Sequence, residues 1–150
     1  MATTVTNADL RITINDKVVI NGQKYGNNNT ITIPAIDEVY SRVVEVPISA
    51  FTAILKLGST AGLGAIKAAN VKYIRITNLD DTNYVNLKVF GTDAMVVKLD
   101  AGKSFLLGGV SFDADNADIA QGSVVHNTVF VISAEATVAD CDVEVFVASV

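Results

Sequence analysis

Apolar and polar residues alternate along much of this chain, most clearly between residues 71 and 108, as in Ile74-Arg75-Ile76. A period of two places successive side chains on opposite faces of a β-strand. Clusters of Asp, Asn and Gly interrupt the alternation three times, so the stretch predicts four short strands, with a hairpin turn at residues 79–83. In the second of these strands the face expected to be buried carries Val85, Leu87 and Val89.

Strand and turn signals also occupy the N-terminal part of the chain. Residues 10–14 alternate, residues 15–16 (Asn-Asp) resemble a two-residue turn, and residues 18–20 are apolar. This order predicts a β-hairpin that turns at residues 15–16. The Asn-Gly pair at 21–22 then begins a polar, turn-rich insertion.

The middle of the chain predicts two or three more strands. Residues 30–33 alternate up to Pro34, which ends that strand or confines it to a sheet edge. Residues 43–46 predict a strand, and residues 51–57 fit either a strand or one helical turn, of which we favour the strand. Residues 58–69 contain three glycines and predict a loop between two sheets, with a short helical turn near its end.

Residues 110–125 predict a long loop rich in Asp and Ala, and the β-branched runs at 128–132 and 142–147 predict the last strands. Eight to ten short strands with frequent turns are typical of an all-β, antiparallel β-sandwich, here jelly-roll-like. Residues 1–9 are predicted to form a flexible N-terminal arm, and residues 10–150 a single β-sandwich domain.

The composition limits the classes of function. Only 18% of the 150 residues are charged and 50% are hydrophobic, whereas about 25% charged residues is usual. We therefore expect part of the apolar excess to be buried between subunits of a homo-oligomer or a larger assembly. The formal net charge of -5, with scattered basic residues, argues against nucleic-acid binding.

No targeting or membrane signal is visible either. The N-terminus lacks the basic and apolar segments of a secretory signal, and no apolar run is long enough to span a membrane. We expect a protein that is made in a cytoplasm and stays soluble.

The acidic stretch near residue 115 is the best candidate for a ligand site. Carboxylate oxygens spaced closely within a loop suit a hard cation such as Ca²⁺. The spacing does not fit an EF-hand, because the turn glycine is missing and Val124 stands where the bidentate Glu would be. We interpret the stretch as a solvated acidic loop, with three weak candidates for a cation site: Asp113, Asp115 and Asp118.

Residues suited to catalysis are few. His126 is the only histidine, so a catalytic dyad or a His-pair metal site has no second imidazole, and we expect a local hydrogen bond there. Cys141 lies between Asp140 and Asp142, whose charges should raise the pKa of its thiol. The glycines at 58–64 lack the pattern of a phosphate-binding loop. We therefore expect no enzyme activity and no cofactor.

Four segments resemble a family of small virion proteins of tailed phages of marine bacteria and cyanobacteria: NVKYIRITNLDDTNYVNLKV, VKLDAGKSFLLGG, FDADNAD and ADCDVEVFVAS. The resemblance covers residues 71–150 and rests on strand alternation and turns. It implies a structural role in the particle, and head decoration or cement proteins are similar in size and β-architecture. It transfers no functional residue.

The resemblance and the composition together suggest a head decoration protein. We expect it to bind the major capsid protein as a homo-oligomer, with a trimer favoured, and to reside in the virion. A tail, neck or fibre component is an alternative that keeps the virion. A receptor- or glycan-binding module is another, because exposed loops on a β-sandwich commonly bind ligands.

Overall fold

In the computed structural model, the described residues are 4–58, 60–62, 64–91, 94–108 and 131–150. They form thirteen β-strands and one short 3-10 helix, so the predicted all-β class is confirmed. Within these ranges, no helix is long and apolar enough to cross a membrane. The chain forms two compact units, Met1–Asp37 and Glu38–Val150. The boundaries expected from the sequence, an arm over residues 1–9 and one domain over 10–150, stay a prediction.

The first unit is built from two strand pairs. β1 pairs with β4, and β2 pairs with β3, both antiparallel. Pro34 lies within β4 at a register irregularity: Leu10 pairs with Ile33 but Ala8 pairs with Ile36, which leaves two residues opposite one. The strands of this unit are β1 (Ala8–Asn15), β2 (Val18–Ile20), β3 (Gln23–Tyr25) and β4 (Asn28–Ile36).

The hairpin predicted at residues 15–16 is wrong. β1 continues to Asn15 and pairs with β4, and the chain turns instead at Asn21-Gly22, between β2 and β3. Both turn residues have positive φ, 51° at Asn21 and 78° at Gly22. A two-residue hairpin whose twist matches its strands requires such angles, which Asn-Gly adopts more readily than Asn-Asp.

The second unit contains two larger sheets that share one core. The four-stranded sheet has the order β11-β8-β13-β5 and the five-stranded sheet the order β10-β9-β12-β6-β7; every neighbouring pair is antiparallel except β6 and β7. Its strands are β5 (Glu38–Val46), β6 (Thr52–Gly58), β7 (Ala65–Lys67), β8 (Val71–Asn78), β9 (Val85–Phe90), β10 (Ala94–Leu99), β11 (Ser104–Gly108), β12 (Val131–Ala136) and β13 (Cys141–Ser149).

Alternation of buried and exposed residues explains why these strands form a sandwich. Val85, Leu87 and Val89 of β9 are fully buried, as predicted, while the residues between them are more exposed. Ile74 and Ile76 of β8 are buried in the same core from the opposite sheet. Each sheet thus directs one apolar face inward, as in a β-sandwich. The jelly-roll connectivity expected from the sequence stays a prediction.

The hairpin turn predicted at residues 79–83 is wrong. The strands on either side of it, β8 and β9, belong to different sheets, so residues 79–84 cross from one sheet to the other. The chain then makes the β9–β10 hairpin and returns through residues 100–103 to β11, which pairs with β8. The sequence pattern did not distinguish these cases, because a strand buries alternate residues whether the next strand lies beside it or opposite it.

Residues 58–69 are not entirely a loop. β7 pairs with β6 in parallel, an interaction that the glycine-rich sequence did not suggest. Gly62 and Gly64 have φ of 121° and 77°, values that favour glycine and allow the chain to turn back within a few residues. The predicted short helical turn is present as the 3-10 helix Ala68–Asn70.

Candidate functional site

The residues that the sequence singled out as possible cation ligands, Asp113, Asp115 and Asp118, lie outside the described residues, as does His126. The candidate sites in the part of the chain that the structure describes are therefore different ones. Three surfaces stand out: an acidic end of the second unit, a cleft beside β5, and an exposed apolar ribbon in the first unit.

The acidic end surrounds the start of β13. Asp80 of the sheet crossover lies near Asp140 and Asp142, and Glu45 of β5 also lines this shallow depression of about 350 Å³. Cys141 is buried and is the first residue of β13. The sequence indicated the proximity of Cys141 to its two neighbours, but it carried no sign that residue 80 would join them, because the crossover brings that residue in from another sheet.

Two of these carboxylates have structural roles. Asp80 accepts hydrogen bonds from the backbone N–H groups of Thr82 and Asn83, which hold the crossover, and these bonds lower the pKa of Asp80. Asp140 accepts a hydrogen bond of 3.0 Å from the backbone N–H of Ile48. Across the described ranges, no group of three or more His, Cys, Asp or Glu residues is arranged to hold a metal ion. We interpret this end as a structural feature.

Cys141 is a buried thiol with a raised pKa. Burial is the largest cause, the charge of Asp80 is the next, and Asp140 and Asp142 contribute less. The Sγ atom donates a weak hydrogen bond to the carbonyl oxygen of Ala139 at 3.3 Å. The sequence indicated the direction of the shift but assigned it to the neighbouring acids alone.

The raised pKa makes native Cys141 a poor nucleophile, because the thiolate is the reactive form. At pH 8 we expect a disulfide reagent such as DTNB to label the folded protein at least about 100-fold more slowly than the urea-unfolded chain, since labelling requires opening of the structure. The higher folded-state pKa should also make stability fall as the pH rises through that pKa, in the alkaline range.

Asp80→Asn is the matched variant for this prediction, because Asn retains an acceptor oxygen for the crossover but removes the charge. Labelling of this variant should stay slow, since burial dominates. If Asp80→Asn labelled as fast as the unfolded chain, electrostatics rather than burial would protect the thiol, and the order of causes would be reversed. A Cys141→Ala variant should lose less stability than wild type above pH 9, which chemical denaturation at several pH values would measure.

A cleft of about 470 Å³ lies along β5, where the edges of the two sheets approach each other. Its walls carry few groups suited to chemistry: Glu38 and Arg42 come from β5, and Lys56 from β6. Tyr40 also borders the cleft and packs against the core. Among the described residues that line the cleft there is neither a cysteine nor a histidine.

Exposed apolar side chains are concentrated in the β2–β3 hairpin of the first unit. Val18, Val19 and Ile20 are consecutive, so both faces of this strand carry apolar side chains, and they are 49%, 53% and 55% exposed. Tyr25 of β3 is 55% exposed and pairs with Val18. We call these four residues the apolar ribbon. The apolar run at residues 18–20 was visible in the sequence, but its exposure was not.

A smaller exposed group lies on the outer face of the five-stranded sheet. The ammonium group of Lys88 lies 5.8 Å from the ring centre of Phe51 and 5.5 Å from that of Phe90. Both rings are exposed by about two fifths, at 41% and 43%, and Val96, which pairs with Lys88, is 57% exposed. This arrangement places one ammonium group between two exposed aromatic rings.

Comparisons of this chain with protein-family models, with curated proteins and with solved structures found no match.

Proposed function

We propose that this chain is a structural protein of a tailed-phage virion, and specifically a head decoration protein that binds the lattice of the major capsid protein. The resemblance of residues 71–150 to small phage virion proteins supports a role in the virion. The low charge content, 18%, supports burial of surface in an assembly. The resemblance and the low charge content both favour a structural protein over an enzyme.

The apolar ribbon is the observation that carries the proposal. A two-stranded hairpin is marginally stable in water, and it needs a third strand or a packed face to be stable. This one leaves Val18, Val19 and Ile20 about half exposed, on both of its faces. Contiguous exposed apolar surface is typical of an interaction site. We therefore infer that the ribbon is covered by another protein in the assembled state.

A capsid lattice is a suitable partner for such a ribbon. The β2–β3 hairpin can lie across the junction between two capsid subunits and bury its apolar side chains in the seam. A protein that binds the assembled shell but not its dissociated subunits stabilises the shell by mass action. This role requires no covalent chemistry.

The direct test is to add the purified protein to phage heads that lack it. We expect binding to the heads in many copies, and a higher temperature for release of the packaged DNA. The variant Val18→Ser/Ile20→Ser should bind at least about tenfold more weakly, because it removes two apolar contacts from one face of the ribbon. Cosedimentation would measure binding, and a DNA-binding dye would report the temperature of release.

Val96→Ser/Val138→Ser is the matched control, since it makes the same chemical change at two exposed sites of the second unit, which are 57% and 69% exposed. It should bind heads like wild type. Heads whose heat resistance is unchanged by the wild-type protein would contradict a decorating role. Immunogold labelling of tails with bare heads would select the tail, neck or fibre alternative.

A further inference from the structure

β5 is a long edge strand. It spans the nine residues Glu38–Val46, which at the usual rise is about 30 Å of strand. On one side it pairs along its whole length with β13, and in the order of the sheet no strand of the described residues lies on its other side. An unpaired edge presents a row of backbone N–H and C=O groups that can pair with another strand.

The two faces of β5 differ. Tyr40 and Val44 point inward and pack against the core. On the outward face Val39 and Val43 are 58% and 57% exposed, and Ser41 lies between them. Native edge strands are usually protected from pairing by charged residues, especially Lys, by Pro or a bulge, by a short length, or by a covering segment. β5 contains no Lys or Pro, and its register with β13 is continuous. It does carry Glu38, Arg42 and Glu45, so another strand can pair with it only in a register that compensates these charges.

We propose that β5 pairs with β5 of a second copy of this chain, antiparallel and around a two-fold axis at Ser41. A two-fold axis perpendicular to a sheet keeps every side chain on its own face of the sheet, so residues that pair must point to the same face. This is possible only if the axis passes through a residue and not between two residues. With the axis at Ser41, Val39 lies opposite Val43 of the partner and Val43 opposite the partner's Val39. The two exposed valines thereby cover each other, which is a favourable cross-strand pair.

The inward face of the same register is complementary in charge. Tyr40 lies opposite Arg42 of the partner subunit, where a guanidinium group can lie over an aromatic ring. Glu38 is then the diagonal neighbour of the partner's Arg42, and long side chains reach across such a diagonal. The two-fold axis repeats both contacts. Arg42 is solvent-exposed in the single chain, so it is free to make them.

The neighbouring registers fit less well. An axis at Arg42 would place this cation directly opposite its own copy, and like charges directly opposite are destabilising. An axis at Tyr40 would allow only residues 38–42 to pair and would leave Val43 opposite Asp37 of the partner subunit. The register centred on Ser41 pairs residues 38–44 and brings Glu38 diagonal to Arg42 of the partner subunit. The unfavourable pair that it creates, Glu45 with Asp37 of the partner subunit, lies just beyond the paired residues.

The pairing would join the two four-stranded sheets into one continuous eight-stranded sheet with the two β5 strands at its centre. It does not depend on the virion role, because it follows from the edge of the second unit alone. The pairing also limits the oligomeric state. Because a two-fold contact closes a dimer, a trimer of this chain would have to form through another surface.

Ser41→Cys tests the register. Residues directly opposite in an antiparallel pair have Cα atoms about 4.5 to 5.5 Å apart, within the range that a disulfide spans. Under mild oxidation we expect this variant to form a covalent dimer of twice the 15.8 kDa chain mass. Ser104→Cys is the matched control, because Ser104 is exposed on β11, the opposite edge of the same sheet. It should cross-link at least about tenfold more slowly, since proximity drives the reaction.

A mixture of Val39→Cys and Val43→Cys proteins tests the same register independently. Each variant alone should stay uncrosslinked, because the partner's residue opposite it is a valine. Mixed, they should give a covalent heterodimer. If Ser41→Cys cross-linked no faster than Ser104→Cys, or if Val39→Cys formed homodimers as readily as the mixture formed heterodimers, the proposed register would be wrong.

Charge reversal tests the contact without cysteine. Arg42→Glu should weaken self-association by about tenfold or more, because it places a carboxylate near Glu38 of the partner subunit. The double variant Glu38→Arg/Arg42→Glu should regain affinity relative to the single variant, and Lys103→Glu should have no effect. A wild-type dimer with a Kd weaker than about 1 mM in sedimentation equilibrium would overturn the proposal. So would a trimer that none of the β5 variants affects.

Discussion

Replacing Leu87 with alanine is expected to lower the free energy of unfolding of the second unit by about 2 to 5 kcal/mol, the range for buried Leu→Ala changes. Leu87 is fully buried in the core. It lies on β9, inside the five-stranded sheet, opposite Val97 of β10 on one side and Ala134 of β12 on the other. The cavity left by the missing methyl groups is enclosed by strands on both sides, so it cannot collapse easily.

Urea denaturation followed by circular dichroism would measure this loss, because the chain has no tryptophan to report by fluorescence. Leu106→Ala is the matched control: the same change on β11, where the side chain is 46% exposed. It should cost less than about 1 kcal/mol. Equal losses from the two variants would mean that the interior of the sandwich is not packed as described.

Most strands of the second unit could be predicted, because each buries one face. Apolar and polar residues therefore alternate along its sequence. The strands from residue 71 to 108 and the buried Val85, Leu87 and Val89 were predicted in this way. Pairing could not be predicted in the same way. A strand has the same alternation whether its successor lies beside it, as β10 beside β9, or in the opposite sheet, as β9 follows β8.

Turn chemistry was informative only where backbone angles were decisive. Asn21-Gly22 adopts the positive φ angles of a tight hairpin. Because Asn-Gly adopts these angles more readily than Asn-Asp, the hairpin turn could have been placed at residues 21–22 instead of 15–16. The parallel pairing of β6 with β7 had no comparable signal, because β7 has only three residues. A strand that short shows no period.

The candidate surfaces were less predictable than the fold. Low charge content indicated that apolar surface would be left for partners, but not where it would lie. The exposure of Val18 and Ile20 depends on their belonging to a two-stranded hairpin, and that of Val39 and Val43 on β5 being an edge strand. Both are properties of pairing, and pairing is what a single sequence did not reveal.

The two proposals concern different parts of the chain. The edge of β5 belongs to the second unit and the apolar ribbon to the first. Because each proposal has its own variants, head binding and self-association can be measured separately for each.

Asn78 is the second position at which we expect a large effect. It is the last residue of β8 and is fully buried. Its side-chain amide donates hydrogen bonds to the carbonyl oxygens of Asn83 at 2.8 Å and Leu99 at 3.2 Å, and its oxygen accepts one from the backbone N–H of Asp80. It thus ties the crossover after β8 to the end of β10 in the opposite sheet.

Asn78→Ala is expected to lower the free energy of unfolding by about 2 to 4 kcal/mol, because it leaves a buried carbonyl group and part of the crossover without hydrogen-bond partners. Asn78→Leu should be no better, since it restores volume but no donor. Asn86→Ala on the outer face of β9 is the control, and it should change stability by less than about 0.5 kcal/mol.

If Asn78→Leu were as stable as wild type, the side chain would serve only to fill space, and the crossover would be held by its other bonds. Those are the bonds from the backbone N–H of Leu79 to the carbonyl oxygen of Asp142 and from the amides of Thr82 and Asn83 to Asp80. Of these, the bond from Thr82 is exposed and that from Asn83 is part-buried. Among the side-chain bonds of Asn78, the one to Leu99 is fully buried. A large loss in both variants would show that the hydrogen bonds of Asn78, and not its volume alone, hold the crossover from β8 to the opposite sheet.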